Sequence, residues 1–127
     1  MKLFAIATII VGLTPFAHAD TAVNVLSCSS TDPKVNYVVE LNTGSFSAAV
    51  SKKDDKGGTT LLSNLTCAKA DEAADASGRL HDLDCRDPKR ADSGYMAVVY
   101  KTDKGYEVEL NTNSFAGHQL VGLLTCD

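Results

Sequence analysis

Four cysteines, two histidines and one basic cluster are the side chains of this sequence best suited to chemistry. Cys28, Cys67, Cys85 and Cys126 are even in number and far apart. Zinc sites usually bring two ligands close together, as Cys-x-x-Cys or as a His pair, and that spacing is missing here. Two disulfides are therefore expected, and with them no free thiol nucleophile. His81 lies in His81-Asp82-Leu83-Asp84. On a regular strand His81 and Leu83 would share one face and Asp82 and Asp84 the other, which separates the imidazole from the carboxylates. His118 follows Gly117 at the expected start of a strand. Asp54-Asp55-Lys56-Gly57-Gly58 lacks the alternating oxygens and terminal Glu of a calcium loop and reads as a hairpin tip. Ser77-Gly78 and Ser93-Gly94 lack the flanks of a nucleophile elbow. Arg86, Lys89 and Arg90 form the densest basic group, interleaved with Asp84, Asp87 and Asp92. They read either as a partner-binding loop or as a self-neutralising surface. Asn64-Leu65-Thr66 matches a glycosylation sequon, which the bacterial look of the leader described next discounts. No catalytic residue, metal ligand or cofactor site is assigned, and the expectation is a protein that is not an enzyme.

The elements that would position these residues begin after a leader. Met1-Lys2, the apolar run Leu3 to Leu13 and the Ala17-His18-Ala19 step follow the order of a secretory signal peptide. Cleavage is expected between Ala19 and Asp20, with residues 1–19 removed and residues 20–127 forming one domain. The run is too short to span a bilayer, which takes roughly 20 residues. No second long apolar run follows, so no membrane insertion of the mature chain is expected. The net charge of −4 falls by one unit when Lys2 is lost, a poor balance for nucleic acid. Export and paired cysteines together suggest a periplasmic or secreted protein.

The rest reads as strands and tight turns. Val35 to Leu41, Ser45 to Ser51 and Tyr106 to Leu110 alternate apolar and polar residues with a period of two. Phe46, Ala48 and Val50 would share the inward face, and Glu107 and Glu109 would point outward. Tyr95 to Tyr100 and Leu120 to Leu124 are apolar on both faces and read as central strands. Ala22 to Cys28, Thr59 to Leu65 and Arg79 to Cys85 are weaker candidates. Asn42-Thr43-Gly44, Asp55-Lys56-Gly57-Gly58, Asp103-Lys104-Gly105 and Asn111-Thr112-Asn113 supply hairpin turns. The fold class is all-β: about eight short antiparallel strands in a sandwich or barrel. Ala68 to Ser77 is composed either for a short helix or for a solvated linker.

That segment divides two similar halves, residues 20–67 and 79–127, joined by residues 68–78. Val39 to Phe46 and Val108 to Phe115 agree at seven of eight positions. Each half has a Cys, then Asp-Pro-Lys, then strands, then Leu-Thr-Cys, the pattern of a tandem repeat. The Asn-Thr and Asp-Lys-Gly turns occur in opposite order in the two halves, so the octamer and the cysteines imply different alignments. One bridge per half, Cys28–Cys67 and Cys85–Cys126, is the pairing the repeat suggests. Strand direction in a plain meander would instead favour Cys28–Cys85 with Cys67–Cys126.

Two functions fit these features. One is a non-catalytic module of the bacterial envelope, binding a protein through loops on a rigid sheet. The other is a structural or self-associating envelope protein. Small size, export, paired cysteines and an all-β pattern resemble, in general character, the periplasmic lysozyme inhibitors of Gram-negative bacteria. The resemblance brings no site residue with it, and it leaves partner identity and oligomeric state open.

Overall fold

A computed structural model describes residues 25–90, 93–114 and 117–127. The expected signal sequence and the expected cut between Ala19 and Asp20 lie outside the described residues. Eight strands follow in order: β1 (Val25–Ser29), β2 (Tyr37–Asn42), β3 (Ser47–Lys53), β4 (Thr59–Lys69), β5 (Leu80–Arg86), β6 (Tyr95–Thr102), β7 (Gly105–Ser114) and β8 (Gly117–Cys126). Each pairs antiparallel with the next, and β8 returns to β1 to close a barrel. Eight strands leave an interior that side chains alone can fill. Val39, Leu41, Val50, Val99, Val108, Leu110 and Leu124 fill it and are fully buried. The period of two seen in the sequence is the inward-outward alternation of this wall.

Closure decides the disulfides. The bridges are Cys28–Cys126 and Cys67–Cys85, each with Cα atoms 3.9 Å apart. This corrects the within-half pairing Cys28–Cys67 and Cys85–Cys126. Cys28 and Cys67 lie in β1 and β4, the outer strands of a four-stranded half, with β2 and β3 between them. Closure instead brings β1 against β8 and β4 against β5, with Cys28 opposite Cys126 and Cys67 opposite Cys85. Both bridges thus join one half to the other, at the two shortest ladders. The β1–β8 seam pairs only Cys28 with Cys126 and Ser29 with Thr125, extended by two hydrogen bonds between Ser27 and Asp127. The β4–β5 seam pairs Thr66 to Lys69 with Leu83 to Arg86.

Other expectations are also corrected. Residues 68–77 form no helix. Ala68 and Lys69 end β4, and the chain then runs beside the start of β5. Ala70 N–H donates to the Asp82 carbonyl and Glu72 N–H to that of His81. Ala74 bridges Leu80, and Gly78, at φ 89°, turns the chain back. Backbone pairing wins here over an alanine-rich composition, whose helix preference is only a weak prior. Asn111 to Asn113 do not turn; they continue β7 opposite His118 to Leu120. The matching residues Asn42 to Ser45 do turn, with Asn42 Oδ1 accepting from the N–H groups of Gly44 and Ser45. Phe46 leaves the inward face altogether: its φ is 54° and it is 42 % exposed.

Val35 lies in the β1–β2 loop and packs against the core where β8 carries Gly122. A Cβ on Gly122 would sit 2.6 Å from Val35 Cγ1, so the glycine is what admits the loop side chain. Gly122→Ala should therefore lower stability to chemical denaturation by about 1–3 kcal/mol through overpacking. Restoration by the double variant carrying Val35→Ala identifies that contact as the cause. Non-reducing peptide mapping should recover only Cys28–Cys126 and Cys67–Cys85. In the chain-entropy model removing the first, which closes a loop of 98 residues, costs about 4.7 kcal/mol. Removing the second, with a separation of 18, costs roughly 3 kcal/mol.

Candidate functional site

The outer face of β4 and the β5–β6 loop enclose a groove of about 460 Å³. Ser47, Leu61 to Thr66 and Asp87 to Arg90 line it. Its position follows from Asp87. The turn Asp87-Pro88-Lys89-Arg90 is closed by Arg90 N–H donating to the Asp87 carbonyl at 3.1 Å. Within it, Lys89 N–H donates to Asp87 Oδ1 at 2.9 Å. The other carboxylate oxygen accepts the Ser63 hydroxyl at 2.6 Å, a buried contact that ties the loop to β4. Gly94 completes the loop. Its N–H donates to the Arg90 carbonyl, and a Cβ there would meet that oxygen at 2.9 Å.

Of the three basic residues singled out from sequence, Lys89 and Arg90 line this groove. Arg86 lies directly opposite the groove residue Thr66 across the β4–β5 ladder. Of the interleaved acids, Asp92 lies outside the described residues, and Asp84 and Asp87 form no salt bridge with the trio. Asp87 is turned inward to Ser63, and Asp84 Oδ1 is 2.7 Å from His81 Nε2. Among the described residues none of the three makes a salt bridge. Leu61 adds apolar surface, being 56 % exposed, and Phe46 is the residue before Ser47. Sequence reasoning missed both: Phe46 read as inward, and the bulge that turns Leu61 outward, between Val50 and Ser51 on β3, leaves no mark in the pattern.

The His81–Asp84 contact is itself a correction. A register shift between His81 and Leu83 breaks the alternation. Asp82 is thereby buried, where Lys69 Nζ meets its carboxylate at 2.8 Å. The hydrogen bond that Lys69 donates to Asp82 raises the pKa of Lys69 above its ordinary value. His81 faces outward, with its ring 5.7 Å from that of Tyr100. His118 is exposed at the start of β8. Asp54 caps its own hairpin, accepting from the N–H groups of Lys56 and Gly58.

A second polar cluster lies outside β6 and β7. Arg79 donates to Asp75, Glu107 and Glu109 at 2.9, 3.1 and 2.9 Å, and its guanidinium lies 4.0 Å from the centre of the Tyr100 ring. One cation holding three carboxylates and one aromatic face fixes the 70–79 segment to the barrel wall. Among the described residues no group of three or more His, Cys, Asp or Glu is placed to hold a metal ion. No helix there is long and apolar enough to cross a membrane. The described cysteines are all bridged, which fits a non-cytoplasmic location.

Two carboxylates should shape acid unfolding. The Ser77 hydroxyl, followed by Arg79, lowers the pKa of Asp75 from 3.8 to about 2. The Ser63 hydroxyl and the Lys89 N–H lower that of Asp87. A carboxylate depressed in the folded state stabilises the fold above its unfolded value, and the contribution fades as pH falls through the folded one. For Asp75 the window runs from about pH 4 down to about 2. Ser77→Ala and Ser63→Ala should each raise the pH of acid unfolding, read by circular dichroism. An unchanged midpoint would remove these hydroxyls from the account.

Comparison of the chain with protein-family models, with curated proteins and with solved structures yields no match.

Proposed function

We propose that this chain is an exported, non-catalytic, inhibitor-like module of the bacterial envelope that grips an acidic protein partner through the β4 groove. The observation carrying this reading is a basic trio that forms no salt bridge among the described residues, on a chain of net charge −4. Asp84 is turned to His81, and Asp87 is engaged by the Ser63 hydroxyl and the Lys89 N–H rather than by a basic side chain. Exposed Leu61 beside the cations supplies apolar contact, and arginine and aromatic residues near such a surface are the types that dominate binding energy. Phe46 fits this role as well. A bulky side chain at positive φ is strained by about 1–3 kcal/mol, and such strain concentrates at functional positions.

Support for an exported, water-facing state comes from the leader, the bridges and the polarity of the wall. Apolar side chains point inward while Glu40, Asp84, Glu107 and Glu109 lie outward, the reverse of a membrane-spanning barrel. We also read the halves as a tandem duplication in the cysteine frame. In both, the Asp-Pro-Lys turn uses the same hydrogen bonds: Asp32 accepts from Lys34 and Val35 as Asp87 does from Lys89 and Arg90.

The test is affinity capture from envelope extract with the oxidised chain and with the triple variant Arg86→Glu, Lys89→Glu, Arg90→Glu. A specific protein should be retained by the first, at least tenfold less by the second, and progressively less as salt rises. Equal retention by both, or none by either, contradicts the proposal.

A further inference from the structure

Among the described residues, part of β8 is hydrogen-bonded on one side only. This strand pairs with β7 from Gly117 to Thr125, but β1 reaches it only at Thr125 and Cys126. From His118 to Leu124 no other described residue hydrogen-bonds to its backbone. Leu120 to Leu124, expected as a central strand, is among the described residues an edge paired with β7 alone. A register shift at Leu110/Asn111 leaves Val121 as the extra residue of β8. Leu120 and Leu123 consequently both face outward, three residues apart, at 60 % and 48 % exposure.

We infer that this edge is a self-association strand, and that a second copy of the chain adds its own β8 antiparallel to it. Four observations favour an identical partner. First, His118 to Leu124 contains no Asp, Glu, Lys or Arg, so two acidic chains meet there without like charges opposed. Second, the lysines and prolines that usually protect an exposed edge are missing from it. Third, the nearest outward carboxylates on β7, Glu107 and Glu109, are already held by Arg79. Fourth, a two-fold axis between Val121 and Gly122 gives a register in which every face matches. Leu120 then lies opposite Leu123 of the second copy, outward against outward, and Gln119 opposite Leu124. Shifting that register by one residue would set outward Leu120 against inward Gly122. A symmetric interface of this kind is self-complementary and closes at two copies. It uses a different surface from the β4 groove, so either proposal can fail alone.

Sedimentation of the oxidised chain over a range of concentrations tests it. The wild type should pass from monomer to dimer, and Leu123→Lys should weaken association at least tenfold. The triple reversal of Arg86, Lys89 and Arg90 should leave it unchanged. Amide hydrogen exchange on the wild type gives a measurement independent of any variant: residues 118–124 should slow as concentration rises. A wild type that stays monomeric at the highest concentration overturns the inference. So does a properly folded Leu123→Lys that dimerises as well as wild type, or exchange at 118–124 that ignores concentration.

Discussion

Closure of the barrel at its two short seams is the constraint on which the rest of this structure depends. The hairpins bring their own strands together through local turns, but the seams must join β1 to β8 and β4 to β5. At the β1–β8 seam only two residue pairs and the Ser27–Asp127 hydrogen bonds do this, alongside the Cys28–Cys126 bridge. Loop-closure entropy makes such distant contacts the hardest to hold, and a covalent link removes much of that entropy from the unfolded chain. The Cys67–Cys85 bridge acts at the other seam, where the extended pairing of residues 70–80 continues the ladder. A small domain with two such bridges keeps its wall closed while leaving its loops free to vary.

The same closure creates the features that carry functional interest. Because β1 is short, part of β8 has no strand partner on one side among the described residues, and the β1–β2 loop places Val35 against Gly122. In the other half the corresponding loop is anchored by a polar contact, Asp87 to Ser63. That choice has a consequence. It withdraws an acid from the loop surface, and among the described residues Lys89 and Arg90 beside the β4 groove form no salt bridge. One buried hydrogen bond therefore connects the packing of the barrel to the electrostatics of its exterior.

Much of the fold was legible from side-chain alternation. The strands over Tyr37 to Leu41, Tyr95 to Tyr100 and Tyr106 to Leu110 follow directly from their patterns. What alternation could not show were the places where it breaks. Three register shifts reassign faces: one turns Leu61 outward, one buries Asp82 and joins His81 to Asp84, and one turns Leu120 and Leu123 to the same side. A bulge is one extra residue in a ladder, and its position depends on the neighbouring strand. The basic trio was legible by composition; that Asp84 and Asp87 form no salt bridge with it depended on where those carboxylates pointed. Likewise Val39 to Phe46 and Val108 to Phe115 are nearly the same octamer, yet Asn42 begins a turn and Asn111 continues a strand. Turn residues permit a reversal, and the partner strand decides whether it occurs.

The cysteines mark the division between the two sources of information. Their number and wide spacing behind an apolar N-terminal run were enough to expect two bridges, because that is a property of composition. Their all-β setting was equally local, written in a period of two. The partner of each cysteine was not, because pairing requires two Cα atoms to be brought within reach, and only the path of the whole chain does that. Each half begins and ends with a cysteine because those are the strands that meet the other half. Closing the sheet into a barrel, rather than leaving each half to itself, made the bridges run between halves.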